Sequence, residues 1–206
     1  MRRSFDVLCA VFGLIILSPF FAAIAVAIKR EDSGPVLYRA QRVGLNGKLF
    51  ALLKFRTMVV DADKTGVGVT RATDQRITAV GRFLRRYKLD EFPQLINIIR
   101  GEMNLVGPRP EDPRYTNLYD QKQQMIFSMR PGITSPASLY FRDESSLLDG
   151  PEWEEKYLHE IMPEKLSIDL KYFETNTLWS DFSIILRTLR GVTFPGLGSR
   201  WRSGIR

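Results

Sequence analysis

Two adjacent carboxylates, Asp90 and Glu91, are the residues whose types and spacing are best suited to chemistry. They follow a basic stretch: Arg82, Arg85, Arg86 and Lys88. An aspartate can attack phosphorus and form an aspartyl phosphate, and Mg²⁺ is commonly held by one or two carboxylates together with substrate phosphates. The pair therefore predicts catalysis and metal binding at Asp90 and Glu91. An ordinary helix cap is the alternative, because Asp90 followed by Pro93 is also typical of a helix start.

The ionisation of Asp90 can be predicted from the same pattern. A carboxylate at a helix N-terminus and beside cations is stabilised as the anion by the helix dipole and by the neighbouring charges. A nucleophilic aspartate must be ionised, so this position is consistent with catalysis.

Positive charge is concentrated around this pair. The chain has 206 residues and a net charge of +7. Residues 29–109 hold 16 Lys and Arg against 8 Asp and Glu, whereas residues 110–206 hold 12 against 14. Such a basic region suits phosphorylated small molecules, anionic lipids or nucleic acid. One cysteine, Cys9, and one histidine, His159, exclude an internal disulfide and a zinc site built from these residue types.

Further cations occur in patterns that could reach a phosphate. Lys54 and Arg56 are two residues apart at the end of a predicted strand, so their side chains share a face. Arg109 and Arg130 each precede a proline, which stiffens the turn that presents the guanidinium. A solvated strand face and ordinary turns remain the alternatives for these residues.

The N-terminal segment Val7–Ile28 has 22 residues without a charge, with basic residues on both sides. A cleaved signal peptide, a spanning helix and a re-entrant helix are the three interpretations. Pro19 removes a backbone hydrogen bond near the middle of the segment, and the Ser18 hydroxyl can bond back to a carbonyl one turn earlier. Each arm would reach roughly halfway through a hydrocarbon core of about 30 Å. Flanking cations place both ends on the cytoplasmic side, which favours the re-entrant interpretation.

The remaining pattern predicts an α+β fold that is mostly helical. Asn46-Gly47 between two apolar runs predicts a small β-hairpin. Residues 77–87 have apolar side chains at helical spacing and a basic opposite face, which predicts an amphipathic helix that either lies on the bilayer surface or packs against the core. Three helices are predicted between residues 151 and 190: Glu152–Ile161, Glu164–Glu174 and Ser180–Arg190. Residues 191–206 are predicted to form a basic flexible tail.

Five short motifs in order, the first of them inside the membrane segment, together resemble the bacterial sugar transferases, the small monotopic polyprenyl-phosphate phosphoglycosyl transferases. The resemblance extends from about Arg2 to about Arg190. Its motifs are Ser18-Pro19, Lys54-Phe55-Arg56-Thr57-Met58, Leu89-Asp90-Glu91-Phe92-Pro93-Gln94, Gly107-Pro108-Arg109-Pro110 and Arg130-Pro131-Gly132-Ile133-Thr134.

The resemblance implies a ping-pong reaction with Mg²⁺. A sugar phosphate passes from a UDP-sugar to a polyprenyl phosphate, usually undecaprenyl phosphate, and UMP is released. Asp90 would be the nucleophile, and Glu91 would be its partner in metal or acceptor binding. Arg85, Arg109 and Arg130 would lie near substrate phosphates or in the framework of the site, and Ser18-Pro19 would break a re-entrant helix.

These implications define the expected organisation. Residues 1–30 form the membrane helix, residues 31–190 the catalytic domain and residues 191–206 the tail. The expected location is the cytoplasmic face of the bacterial inner membrane, in contact with membrane lipids but not with nucleic acid, and a homodimer is compatible with it. After Thr134 the chain departs from the common pattern of the family, so the donor sugar stays open and residues 135–151 are the expected place of sugar contacts.

A membrane-anchored protein that binds anionic lipid or nucleotide without chemistry is the alternative function. The Asp90-Glu91 pair discriminates against it, because a binder of polyanions gains nothing from two carboxylates inside its basic stretch.

Overall fold

The computed structural model describes residues 2–62, 74–142, 144–148, 150 and 152–193. The predicted α+β fold with mostly helical content is confirmed for this part of the chain. The helices are α1 Arg2–Glu31, α2 Ala79–Arg86, α3 Gln94–Arg100, α4 Pro113–Thr116, α5 Pro136–Tyr140, α6 Glu144–Leu147, α7 Trp153–Lys156, α8 Met162–Thr175 and α9 Leu178–Thr193. The strands are β1 Leu37–Val43, β2 Leu49–Phe55, β3 Asn104–Val106 and β4 Gly132–Thr134.

The hairpin predicted around Asn46-Gly47 is present. β1 and β2 pair antiparallel, with Tyr38 opposite Lys54. Asn46 and Gly47 adopt left-handed backbone conformations, with φ of 56° and 73°, which these two residue types accept more readily than others. The turn sets the register, and the register places Lys54, near the end of β2, opposite Tyr38.

A second, parallel sheet of two short strands was not predicted. β3 and β4 pair from Asn104 with Gly132 to Val106 with Thr134. Gly107 and Gly132 meet where the strands end, and a Cβ on Gly132 would lie 2.1 Å from the Gly107 nitrogen. Strands of three residues are too short for a periodic sequence pattern, so the two glycines are the sequence feature that this pairing requires.

Helix α1 extends from Arg2 to Glu31 as one element that includes Pro19. The Ser18 hydroxyl donates to the carbonyl oxygen of Ile15 at 2.8 Å, as predicted for a proline in the helix interior. Within the described residues, α1 is the helix that is long and apolar enough to cross a membrane. Its exposed apolar side chains recur at helical spacing, which gives one continuous apolar face: Leu8, Phe12, Ile15, Ile16 and Phe20. The re-entrant arrangement stays a prediction.

Both ends of α1 nevertheless contact the body of the domain. Near its start, the Arg3 guanidinium donates to the carbonyl oxygen of Met103 at 2.8 Å and also to that of Ile98. At its end, a carboxylate oxygen of Glu31 accepts from the Ala79 N–H at 2.6 Å, at the first residue of α2. Ala10, Ile24 and Ile28 of α1 are buried in hydrophobic clusters with residues of β2, α2 and α3.

The predicted helix at residues 77–87 is α2, which begins after the N-cap residue Thr78, whose hydroxyl accepts from Gly81 N–H at 2.9 Å. Gly81 and Leu84 point into the protein, and Arg82, Phe83 and Arg86 are exposed. Helix α2 therefore packs on the core through one face and exposes the other. Its position on a bilayer surface stays a prediction.

The C-terminal helices form the largest core. α7 continues through a π-helical turn, Tyr157–Ile161, into α8, so the predicted break near residue 162 is absent from this described segment. Buried side chains of this core include Tyr115, Phe141, Trp153, Tyr157 and Leu166. The first three residues of the predicted tail belong to α9, and residues 194–206 lie outside the described residues.

Candidate active site

The turn between α2 and α3 places Asp90 and Glu91. Lys88 adopts a left-handed backbone conformation with φ of 56°, which is uncommon for a residue with a Cβ. A short 3₁₀ turn, Leu89–Glu91, follows it, and α3 begins only at Gln94. The helix-cap interpretation of Asp90 is therefore wrong: Pro93 occupies the N-cap position of α3, and Asp90 lies one turn earlier.

Asp90 is a buried carboxylate with an uncommitted oxygen. The residue is 8% exposed, and its Oδ1 atom has no hydrogen-bond partner among the described residues. Burial raises the pKa of Asp90, and Glu91 raises it further, while the charges of Lys54, Arg85 and Lys88 act in the opposite direction. The helix dipole and the neighbouring cations are expected from the sequence to favour the anion. Asp90 does not lie at the start of α3, and desolvation outweighs the cations, so the pKa of Asp90 is raised instead.

Glu91 has the opposite environment. Its Oε1 atom lies 3.0 Å from Lys54 Nζ and 2.5 Å from Arg109 Nη2, and its Oε2 atom accepts from Arg109 Nη1 at 3.3 Å. Burial alone would raise the pKa of Glu91, but the charges of Arg109 and Lys54 outweigh it and hold that pKa well below its usual range. Glu91 in turn raises the pKa of Arg109. Glu91 is thus an anion that holds two cations at the site.

Asn97 fixes the distance between α3 and the hairpin. Its side chain is fully buried, its Oδ1 atom accepts from Leu53 N–H at 3.0 Å, and its Nδ2 atom donates to Ala51 O at 2.8 Å. One asparagine therefore satisfies two backbone groups on the edge of β2 that is not paired with β1. This contact holds Lys54 on β2 at the distance of its ion pair with Glu91 on the preceding turn.

The other predicted site residues divide between this site and other places. Arg85 donates to the Thr57 hydroxyl at 2.8 Å and lies close enough to Asp90 to act on its pKa. Arg56 is bonded instead to Asp32 at 2.8 Å, in the turn after α1. Arg130 lines a separate cavity. A role of Arg56 or Arg130 toward substrate stays a prediction.

Glu91 borders a cavity of about 570 Å³, within the range of small-molecule sites. Asp90 directly precedes Glu91 in the chain but is not one of the described residues that line the cavity. Glu91, Lys54, Lys88 and Arg109 form one part of its wall, and Leu17, directly before Ser18-Pro19 in α1, forms another. Helix α1 therefore reaches the cavity beside its proline.

Half of the polar residues on the opposite wall were not predicted from the sequence. That wall is lined by polar residues from α5, α6, α8 and neighbouring segments: Glu111, Ser138, Arg142, Glu144, Tyr157 and Lys165. The Tyr157 hydroxyl donates to Glu111, and Lys165 Nζ lies 3.1 Å from Glu144 Oε1. Ser138, Arg142 and Glu144 fall within residues 135–151, where sugar contacts were predicted, but Glu111, Tyr157 and Lys165 carry no local motif that could have identified them.

The residues present fit a hard divalent cation with few protein ligands. The described residues contain no group of three or more His, Cys, Asp and Glu side chains that could hold a metal ion. Mg²⁺ keeps several waters and commonly takes one or two carboxylates plus substrate phosphates. Asp90 Oδ1, which accepts nothing from the described part of the chain, and its neighbour Glu91 supply such a partial ligand set.

Comparison with known proteins finds one matching family and several similar proteins. Residues 1–195 match the protein family described as Bacterial sugar transferase. The UDP-glucose:undecaprenyl-phosphate glucose-1-phosphate transferase of Caulobacter vibrioides is 37% identical over 191 residues, which cover 91% of this chain and 68% of that protein. The exopolysaccharide production protein ExoY of Sinorhizobium fredii is 35% identical over 206 residues, covering 93% of this chain and 84% of that protein.

A longer relative matches this chain in a smaller part of its length. The UDP-glucose:undecaprenyl-phosphate glucose-1-phosphate transferase of Escherichia coli K12 is 36% identical over 196 residues, covering 92% of this chain but 39% of that protein.

Proposed function

Because the chain belongs to the bacterial sugar transferase family, we propose that it transfers a sugar phosphate from a UDP-sugar to a polyprenyl phosphate, undecaprenyl phosphate above all, and releases UMP. The observation that carries the proposal is the buried Oδ1 atom of Asp90, which meets no hydrogen-bond donor in the described residues although Lys54, Arg85 and Lys88 lie close enough to act on the pKa of this carboxyl. A buried polar atom left open in this way is costly for stability, and a nucleophile needs such an open position.

The proposed reaction has two displacements at one phosphorus atom. Asp90 Oδ1 attacks the phosphorus that carries the sugar, and the bond from that phosphorus to the bridging oxygen breaks, so that UMP leaves with the electron pair. A phosphate oxygen of the polyprenyl phosphate then attacks the same phosphorus, and the bond to Asp90 breaks. Asp90 returns as a carboxylate, and the products are UMP and a polyprenyl diphosphate sugar.

The cations at the site would stabilise the charge that develops in both steps. Arg109 offers a fork of N–H donors that matches phosphate oxygens, and Lys54 offers a compact charge. Glu91 holds both at the cavity before substrate arrives. Lys88 and Arg142 line the same cavity and would reach the second phosphate or the nucleotide.

We propose Asp90 and Glu91 as the protein ligands of Mg²⁺. A bound Mg²⁺ supplies charge neutralisation for the phosphates and favours the ionised form of the carboxylates. That effect opposes the burial that raises the pKa of Asp90.

The membrane arrangement that fits this reaction is a helix that enters and leaves on the same side. The contacts of Arg3 with Met103 and of Glu31 with Ala79 support it, because both ends of α1 join one polar domain. The exposed apolar face of α1 would enter the bilayer, and Leu17, beside the proline, would border the cavity from the membrane side. A UDP-sugar is soluble in the cytoplasm, so the proposed site is the cytoplasmic face of the inner membrane.

The reaction is tested by UMP release from the purified chain with Mg²⁺, undecaprenyl phosphate and a panel of UDP-sugars. Wild-type protein should release UMP with at least one donor, and Asp90→Asn should reduce release by 10³-fold or more because the amide is a poor nucleophile. Asp120→Asn, which changes an exposed aspartate in the same way, is the matched control. Undiminished activity in Asp90→Asn would rule out Asp90 as the nucleophile.

Mass spectrometry of protein incubated with donor alone separates the two-step route from direct transfer. A phosphosugar adduct on Asp90 is expected. Release of UMP only after the lipid acceptor is added would favour direct transfer, and binding without any UMP release would favour the non-enzymatic alternative.

A further inference from the structure

A second cavity of about 800 Å³ lies on the other side of β3 from the proposed active site. Successive side chains of a strand face opposite directions. Asn104 and Val106 line the second cavity, whereas Leu105 lines the first. The N-terminal half of α9 closes the second cavity, and the first turns of α1 form its edge.

The wall of this cavity contains two buried polar atoms without a hydrogen-bond partner among the described residues. They are Arg130 Nε and Asn104 Oδ1. Buried polar groups are nearly always paired, so an open donor on Arg130 and an open acceptor on Asn104 in one cavity indicate a ligand that offers an anionic oxygen and a hydroxyl. A guanidinium presents only donors, and the partner that matches it best is a phosphate or carboxylate.

The charges around Arg130 leave an excess of one positive charge. Arg2 and Asp181 pair with each other at 3.6 Å. Arg3 and Arg130 lie close to one another, and Asp6 is the carboxylate that faces both of them. Two arginines against one aspartate make this end of the cavity attractive to a single negative charge.

The rim of the cavity is aromatic and faces outward. Trp179 is 82% exposed, and Phe5 and Phe182 are also exposed. Phe5 belongs to the first turns of α1, so the rim continues the apolar face of that helix. Tryptophan is enriched where a protein meets lipid headgroups.

We propose that this cavity binds an anionic phospholipid of the bilayer, with its phosphate on Arg130 and its acyl chains against Phe5, Trp179 and Phe182. The polyprenyl acceptor is the less suitable occupant, because its phosphate must reach Asp90, which lies beyond β3. The proposal does not depend on the transferase reaction.

Native mass spectrometry of the full chain in detergent tests this site by titration with phosphatidylglycerol or phosphatidylcholine. Wild-type protein should retain one phosphatidylglycerol at least tenfold more tightly than phosphatidylcholine. Arg130→Gln should lose that preference, and Arg130→Lys should keep part of it because the charge remains. Arg100→Gln is the matched control, since Arg100 is exposed and lies outside the cavity.

Three results would overturn the proposal. They are phosphatidylglycerol binding that is unchanged in Arg130→Gln, displacement of the bound phospholipid by undecaprenyl phosphate, and a protein dimer in place of the lipid adduct. Because binding is measured without donor or acceptor turnover, its failure would leave the UMP-release assay unaffected. Circular dichroism of each variant shows whether a loss of binding reflects a loss of fold.

Discussion

Asp90 and Glu91 are neighbours in the chain, yet their environments differ in kind. Burial raises the pKa of Asp90, whereas Arg109 and Lys54 hold that of Glu91 well below its usual range. Environments that separate the pKa values of two carboxylates commonly assign them different roles. Here the contrast supports Asp90 as the reacting group and Glu91 as the residue that positions cations.

Asp169 is a third buried carboxylate, and it positions the wall of the proposed active site. It is 4% exposed, and its Oδ1 atom accepts from Ala137 N–H at 3.0 Å, at the start of α5. Lys165, one turn earlier on α8, pairs with Glu144 at the other end of the same segment. Asp169 and Lys165 therefore hold this segment at Ala137 and at Glu144. Ser138, Arg142 and Glu144 of the segment line the cavity.

The ionisation of Asp169 makes stability depend on pH. Burial raises its pKa from 3.8 to about 7. Between these values the folded state binds a proton that the unfolded state has lost, so the free energy of unfolding falls as pH rises. Asp169→Asn removes this dependence while its amide oxygen can still accept from Ala137. Between pH 5 and pH 8, the free energy of unfolding of the variant should therefore rise by about 2–3 kcal/mol relative to that of wild type.

Denaturant unfolding in detergent at the two pH values measures that difference. Asp120→Asn, at an exposed position, should leave the pH dependence of wild type unchanged. An Asp169→Asn variant whose stability follows wild type in parallel at pH 5 and pH 8 would contradict the proposed titration.

At the scale of elements, the site depends on how α3 lies on the hairpin. The cations and carboxylates come from separate elements: Lys54 from β2, Glu91 from the turn before α3, and Arg109 from the segment after β3. Asn97 is the polar residue that joins α3 to β2 through two backbone groups. Asn97 interrupts the apolar pattern of α3, and its side chain pairs two backbone groups of the strand.

Asn97→Ala should therefore destabilise the protein by about 2–4 kcal/mol, because Leu53 N–H and Ala51 O would be left buried and unpaired. UMP release should fall as well, since Lys54 would no longer be held opposite Glu91. Asn117→Ala removes the same group at an exposed site and should change stability by less than about 0.5 kcal/mol. Equal unfolding midpoints for the two variants would show that Asn97 does not join the two elements.

At the scale of the whole molecule, α1 is part of the domain core and also the apolar surface of the protein. Ala10, Ile24 and Ile28 are buried against the domain, whereas Leu8, Phe12 and Ile15 are exposed. A helix that crossed the bilayer could not keep both ends on one polar body. The contacts of its two ends thus favour an arrangement in which the protein stays on one side.

Cysteine labelling tests this arrangement. In a Cys9→Ala background, Ser4→Cys and Ser33→Cys each introduce a thiol at an exposed residue beside one end of α1. Neither thiol should react with an impermeant maleimide added to intact cells, and both should react after lysis. Labelling of one thiol alone from outside would identify a spanning helix.

Features with a local physical cause could be predicted from sequence. The Asn46-Gly47 turn, the Ser18 hydrogen bond at Pro19 and the end of α3 at Gly101 each depend on the conformations of a few neighbouring residues. The Asp90-Glu91 motif and the Arg-Pro turns were recognisable because their residues are adjacent.

Features that depend on distant residues required the tertiary structure. The N-cap assignment of Asp90 failed because Lys88 and the 3₁₀ turn delay the start of α3, and its pKa is governed by burial that no local pattern reports. Arg56 and Arg130 have the same charge as Lys54 and Arg109, but Arg56 pairs with Asp32 and Arg130 lines a separate cavity. Residue type and spacing therefore determined which chemistry was available, and the packing of β2, α3 and α8 decided which side chains meet.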